Sequence, residues 1–145
     1  MWPNMPYGIH NTSFQPYRLR VELQERSTNM WYSAEYWSFK IGDELNDKYR
    51  LEVAGHSGDA GDSLQYEGDD SDGCFGCYYH NGMKFTTYDN DNDLDGPNCA
   101  LFNGGGGWWY NSCQWACLTC GFTDYKWKTM GEIMDSRMMI KPQQK

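Results

Sequence analysis

Phe85-Thr-Thr-Tyr-Asp89-Asn-Asp91-Asn-Asp93-Leu-Asp95-Gly96-Pro97-Asn98-Cys99 is the stretch around which the rest of the chain is organised. The glycine run Gly104 to Gly107, Trp108-Trp109-Tyr110 and Ser112-Cys113 follow it. Asp89, Asp91, Asp93 and Asp95 alternate, and such a run is no buried strand, because unpaired carboxylates repel one another and lose solvation. A positive group belongs among them. Asp91-x-Asp93-x-Asp95-Gly96 repeats the first half of a calcium loop, whose hard cation takes several oxygen ligands. The second half is missing: counted from Asp91, the position at which an EF-hand needs a bidentate Glu holds Phe102. The pattern therefore predicts a turn-type calcium site of another kind.

The 145 residues suit one domain with a real core. The formal net charge is -8, from 20 acidic against 12 basic side chains, and much of the excess lies between Asp59 and Asp95. Nucleic-acid binding draws on clustered Lys and Arg, so this composition argues against nucleic acid as a partner. No run of about eighteen apolar residues is present to insert in a membrane, and no segment has the charged, apolar and small-residue plan of a signal peptide. Six cysteines, the Asn11-Thr-Ser13 sequon and the calcium-type loop agree on an oxidising exterior, hence a secreted or extracellular protein.

Residues 1 to 16 hold three Pro and little periodicity and read as an extended lead-in. From Tyr17 the run Tyr-Arg-Leu-Arg-Val-Glu-Leu-Gln alternates apolar and polar side chains, which predicts a half-buried strand facing inward with Tyr17, Leu19, Val21 and Leu23. Arg26 to Asn29 reads as a turn, and the aromatic-rich Trp31 to Ile41 as the second strand of a hairpin. Gly42 to Asp47 is a polar turn or one helical turn, and Tyr49 to Ala54 alternates again as a third antiparallel strand. Gly55 to Gly76 reads as a surface loop, with Gly61-Asp-Ser-Leu64 its one helix-compatible stretch. Phe85 to Tyr88 predicts a short strand leading into the aspartates, and Met138-Met-Ile140 a final strand ended by Pro142.

Several anchors fall in one order: Tyr17-Arg-Leu, Ser38-Phe39, Tyr49-Arg-Leu-Glu-Val, Gly58-Asp-Ala-Gly-Asp-Ser-Leu64, His80-Asn-Gly-Met-Lys-Phe85, Tyr88-Asp-Asn-Asp-Asn-Asp93, Asn98-Cys-Ala, Gly107-Trp-Trp-Tyr and Met139-Ile-Lys-Pro142. In these the chain resembles the fibrinogen C-terminal (fibrinogen-like) domain, the family of ficolins, tachylectins and tenascin tips, over nearly its whole length from Tyr17. The resemblance implies an α+β fold: a central twisted, mainly antiparallel sheet with short helices and a large loop-rich calcium-binding subdomain. It places the sheet at about 17–84 plus a C-terminal strand at 137–141, the calcium and ligand loops at about 85–136, and implies that residues 17–145 form one partial domain lacking the usual N-terminal subdomain.

The same resemblance implies Ca2+ held by the side chains of Asp91 and Asp93 and by backbone carbonyls near Asp95 and Pro97, with Asp89 in a supporting turn. It implies a Cys99–Cys113 disulfide and a pocket for carbohydrate or another acetylated ligand formed by Ser112, Cys113, Gln114, Trp115, Phe122 and Tyr125. Gln114 stands where family members usually carry His, and the segment after Gly121, which normally supplies aromatic walls, is short. The two C-x-x-C pairs, Cys74/Cys77 and Cys117/Cys120, read as further disulfides within or between the pairs. A four-thiolate zinc site is the alternative that the spacing allows, and a redox pair the third. No nucleophile elbow accompanies His10, His56 and His80, so the reading is a binding module and not an enzyme. The resemblance implies a lectin-like module for acetylated or other carbohydrate, the alternative being a structural or adhesive extracellular matrix protein that uses the fold for contacts with other proteins; homo-oligomers would supply avidity.

Overall fold

The computed structural model describes residues 17–65, 78–121 and 125–144. Strands β1 (Tyr17–Glu25), β2 (Trp31–Ile41), β3 (Leu51–Ser57) and β6 (Ile133–Pro142) form one antiparallel sheet in the order β3-β2-β1-β6. Helix α1 (Glu44–Asp47) joins β2 to β3. Helix α2 (Cys99–Phe102) and a two-stranded ribbon of β4 (Ala116–Cys117) and β5 (Lys126–Trp127) belong to the loop-rich half.

The alternation in β1 sets the register of the sheet. Leu19, Val21 and Leu23 are fully buried, and their neighbours on β2 (Tyr36, Ala34) and β6 (Ile140) complete the same face. Each such side chain contributes roughly 1.5–3 kcal/mol by leaving water. On the other face Arg20 pairs with Glu22 at 2.9 Å and with Glu35, and Arg18 lies over the Trp37 ring. The hairpin closes where Asn29 takes a positive φ of 60° and donates to Glu25 O. Asp43 caps α1 by accepting from the Asn46 amide at 2.8 Å.

Four expectations change in the structure. The last strand begins at Ile133, five residues before Met138, so residues 133–136 belong to the sheet and not to the loop half. Its first half reads as polar because Asp135, Ser136 and Arg137 lie opposite Gln24, Leu23 and Glu22, where the Ser136 hydroxyl is met by Tyr125 Oη and Arg137 by Glu22 at 3.8 Å. Phe85 to Tyr88 forms no strand but two isolated bridges, Thr86 to Trp108 and Thr87 to Asn90. Gly61 to Leu64 is a turn and not a helix, because Asp62 Oδ1 accepts from the amides of Leu64 and Gln65 and from Tyr36 Oη. Of the surface loop expected over Gly55 to Gly76, Gly55 to Ser57 prolong β3 and the stretch after Asp59 turns inward: Ala60, Ser63 and Leu64 are buried and Trp127 Nε1 donates to Gly61 O at 3.1 Å, while residues 66–76 lie outside the described residues.

A second helix, at Cys99–Phe102, stands where the sequence reading had only the tail of the aspartate loop. Asn98 caps it, its Oδ1 accepting from the amides of Ala100 at 2.9 Å and Leu101 at 3.3 Å. The loop half packs on the sheet through Trp108, Trp109, Tyr110 and Trp127, all buried. Trp109 ties the halves with an Nε1 bond to Tyr49 O at 2.8 Å.

Candidate functional site

The aspartate loop folds on its own backbone. Asp91 Oδ1 accepts the Asp93 amide at 3.2 Å, and Asp93 Oδ1 accepts the Asp95 amide at 2.9 Å. Asp93 Oδ2 accepts from Cys99 N at 2.9 Å, which joins the loop to the first residue of α2. Burial raises the Asp93 carboxyl above its ordinary value and the Asp91 charge beside it pushes the same way, while the Cys99 and Asp95 amides oppose both. Asp95 turns its carboxylate the other way: Oδ1 accepts from Ser112 Oγ at 2.8 Å and Oδ2 lies 3.9 Å from Cys113 Sγ. Among the described residues no backbone amide reaches the carbonyls of Asp95 or Pro97. Asp89 accepts from Thr87 Oγ1 at 2.7 Å, a turn contact outside this cluster.

Cys99 and Cys113 are joined by a disulfide, with Cα atoms 5.6 Å apart. Asp95 stands beside both sulfurs, but bonded sulfurs offer no thiolate, so this trio is not a metal set. The carboxylates of Asp91 and Asp93 and the free carbonyls supply oxygen only, which is the chemistry calcium takes.

Beside Cys113 lies an open cleft of about 450 Å3, lined by Tyr78, Asp95, Pro97, Phe102, Asn103, Cys113, Gln114 and Lys126. Gln114, 6% exposed, donates through Nε2 to Asn103 Oδ1 at 2.6 Å. Asn103 Nδ2 in turn donates to Cys99 O, and this fixes which end of the Gln114 amide is which. Gln114 Oε1 is then a buried acceptor with no partner among the described residues.

His80 holds the backbone behind this wall. Fully buried, it donates from Nδ1 to Trp109 O at 2.8 Å and accepts at Nε2 from Ala116 N at 2.9 Å and Trp115 N at 3.2 Å. Burial lowers its pKa to about 4, so the ring is a neutral structural group and no general base.

Of the sequence-derived pocket residues, the structure brings Cys113 and Gln114 to the cleft and ties Ser112 to Asp95. It places Trp115 and Tyr125 elsewhere. Trp115 packs edge-on to Tyr78 with Lys128 Nζ 4.0 Å from its ring centre, and Tyr125 lines a different cleft. Phe122, Cys74 and Cys77 lie outside the described residues. Cys117 and Cys120 are bonded to each other, so that pair supplies no zinc thiolates. Sequence reasoning missed Tyr78, Phe102, Asn103 and Lys126. The signal for Phe102 and Asn103 was Asn98, whose cap starts the helix that carries them to the rim.

Residues 8–143 match the family described as fibrinogen beta and gamma chains, C-terminal globular domain. The chain belongs to the fibrinogen C-terminal domain family. It is 43% identical over 116 residues to fibrinogen-like protein A of Apostichopus parvimensis, covering 79% of this chain and 36% of that protein. It is 46% identical over 113 residues to the fibrinogen gamma chain of Homo sapiens, covering 73% of this chain and 24% of that one. The chain thus spans about a quarter to a third of the length of these relatives. Among solved structures, the fibrinogen-like globe domain of human ANGPTL6 superposes with TM-score 0.74 at 30% identity, over 92% of this chain and 60% of that one. Lamprey fibrin D-dimer, complexed with the peptide ligand Gly-His-Arg-Pro-amide, superposes with TM-score 0.76 at 29% identity, over 89% of this chain and 46% of that one. The fold is fibrinogen-like, and no described helix is long and apolar enough to cross a membrane.

Proposed function

We propose that this domain is a secreted, non-catalytic recognition module that takes a peptide segment of an extracellular protein in the cleft beside Cys113. The observation that carries the reading is Gln114 Oε1, a buried acceptor with no partner among the described residues, in a residue that lines the cleft. An unmade hydrogen bond of this kind costs roughly 1–3 kcal/mol. Because Oε1 is closed to solvent, a ligand N–H recovers that bond only as the wall side chains yield to it. Asp95 adds a second acceptor for an amine or guanidinium, and Lys126 a cation for a peptide carbonyl or carboxylate. Phe102, 71% exposed at the rim, offers apolar area to a proline or aliphatic side chain. The likeness to a fibrin structure holding a peptide supports the same class of ligand.

Asp91 and Asp93, with the carbonyls of Asp95 and Pro97, would hold calcium. When bound it neutralises the paired carboxylates. The residues themselves fix the loop against α2 through the Asp93–Cys99 bond and so position Asp95 and Pro97 at the cleft.

An N-acetylated sugar is the second reading, favoured by the open cleft and the exposed Phe102 ring, since an acetamido N–H also suits Gln114 Oε1. Titration calorimetry in calcium buffer with Gly-His-Arg-Pro-amide and with N-acetylglucosamine separates them. Saturable peptide heat that the Gln114→Leu variant lacks supports the first reading. Heat from the sugar alone supports the second, and heat from neither removes the cleft as the recognition site.

A further inference from the structure

We propose that Cys117–Cys120 is a thiol–disulfide exchange site, entered from the cleft between its own loop and the start of β6, with a dithiol as its reductant. The proposal concerns residues apart from the recognition cleft and does not rest on that reading.

A cleft of about 380 Å3 opens onto this bond, lined by Leu118, Cys120, Tyr125, Ile133 and Met134, with the Arg26–Glu132 pair also on it at 2.9 Å. Cys120 is partly exposed in that wall, whereas Cys117 is fully buried. An incoming thiolate therefore meets Cys120 Sγ. Among the described residues, the polar side chains against the bond are hydroxyls: Tyr110 Oη lies 3.1 Å from Cys120 Sγ and 3.6 Å from Cys117 Sγ, and Thr119 Oγ1 lies 3.7 Å from Cys117 Sγ.

Cys99–Cys113 differs in the feature that matters to an anionic nucleophile. Its accessible sulfur, Cys113, sits beside the Asp95 carboxylate, 3.9 Å away, and a carboxylate there repels a thiolate. In the cleft at Cys120, the carboxylate among the described lining residues, Glu132, is already paired with Arg26.

The exchange balances in two steps. A thiolate of the dithiol attacks Cys120 Sγ, a new S–S bond forms to Cys120, and the Cys117–Cys120 bond breaks with its electron pair passing to Cys117 Sγ. Cys117 takes up a proton from the medium and as a thiol donates to Tyr110 Oη, whose own proton goes to Gly106 O at 2.7 Å. The second thiolate of the reductant then attacks its partner sulfur in the mixed disulfide and releases Cys120. The reductant ends as a disulfide and the protein as a dithiol.

Opening the bond leaves the loop in place. Thr119 Oγ1 still donates to Gly107 O at 2.7 Å, Gly121 N to Asn103 O at 2.9 Å, and Ala116 and Cys117 still pair with Trp127 and Lys126. The two thiols stay close enough to close again.

The test uses the whole native chain. It is exposed to a small amount of dithiothreitol, quenched with iodoacetamide and mapped by peptide mass, with peptides carrying Cys74 and Cys77 scored separately. Labelling of Cys117 and Cys120 about tenfold or more ahead of Cys99 and Cys113, with near-ultraviolet circular dichroism retained, is expected. Equal labelling of the two bonds, Cys99 and Cys113 first, or loss of the fold in step with Cys117–Cys120 opening overturns the proposal. A second readout locates the attack: with oxidised glutathione, C117S, which leaves Cys120 free, forms the mixed disulfide faster than C120S, and the reverse order overturns the entry assigned to the cleft.

Discussion

Gln114 Nε2 donates to Asn103 Oδ1 at 2.6 Å, and through this bond the cleft wall after Cys113 is anchored to the end of helix α2. Asn103→Leu leaves the Gln114 amide buried with neither end satisfied, at roughly 1–3 kcal/mol of stability. Asn103→Leu combined with Gln114→Met removes both partners and the orphaned Oε1, so the double variant is expected to be more stable than Asn103→Leu alone. Urea unfolding of the four proteins in the cycle measures the coupling. A double variant no more stable than Asn103→Leu would contradict the bond's place in the wall.

His80 gives the domain an acid limit. Its folded pKa of about 4 lies below the ordinary 6.5, so the unfolded chain binds the proton first. Stability is complete above about pH 6.5 and is lost as pH falls toward 4, reaching about 3 kcal/mol for this group. Protonation also forfeits the Nε2 acceptor that holds Ala116 and Trp115. Urea midpoints at pH 7, 5.5 and 4.5 are expected to fall for the parent chain and to fall less for His80→Gln. Equal slopes for the two proteins would remove His80 as the cause.

The part of the fold that follows period-two patterning was legible in the sequence: Leu19, Val21 and Leu23 mark a buried face without any knowledge of their neighbours. Ile133 to Arg137 carried no such mark, since its polar side chains are matched by Tyr125 and Glu22, partners known only after folding. At the candidate site the alternation of Asp91 and Asp93 points to a cation, and the family resemblance points to Cys113 and Gln114 as a ligand wall. The same resemblance puts Trp115 and Tyr125 at that pocket, whereas the structure engages them with Lys128 and Ser136. Tyr78 and Lys126 reach the cleft from distant positions, which no local pattern encodes.

Calcium addition is expected to raise the melting temperature and a chelator to reverse it, because a ligand that binds only the folded loop stabilises by mass action, about 2.7 kcal/mol at a hundred times its Kd. Asp93→Ala abolishes the response. Asp89→Ala, which among the described residues loses the Thr87 hydroxyl contact, keeps it. Scanning calorimetry of the three proteins decides, and a calcium response that survives Asp93→Ala would place the ion elsewhere.

The two disulfides among the described residues contribute unequally to stability. Cys99–Cys113 spans a sequence separation of 14 and Cys117–Cys120 one of 3. The chain-entropy relation gives about 3 kcal/mol for the first and about 2 kcal/mol for the second. Removal of the first also frees a sulfur contact deep in the core, where Cys99 is fully buried. C99S/C113S is therefore expected to lower the urea midpoint more than C117S/C120S, and the opposite order would mean that the short loop carries the larger structural role.

Gly106 is the point at which the glycine run meets the C-x-x-C loop. A Cβ there would lie 1.9 Å from Thr119 O, a backbone atom that cannot swing aside, whereas one on Gly96 meets nothing within 4 Å. Gly106→Ala must push the Thr119 peptide away, and with it the Thr119 Oγ1 bond to Gly107 O and the Tyr110 bond to Gly106 O. Overpacking with two lost hydrogen bonds is expected to cost on the order of 3 kcal/mol or more. Gly96→Ala is expected to change stability by less than about 1 kcal/mol. Thermal unfolding of the pair, with the disulfide state of each checked by mass, is the measurement. A Gly106→Ala protein as stable as Gly96→Ala would show that the loop does not rest on the glycine run.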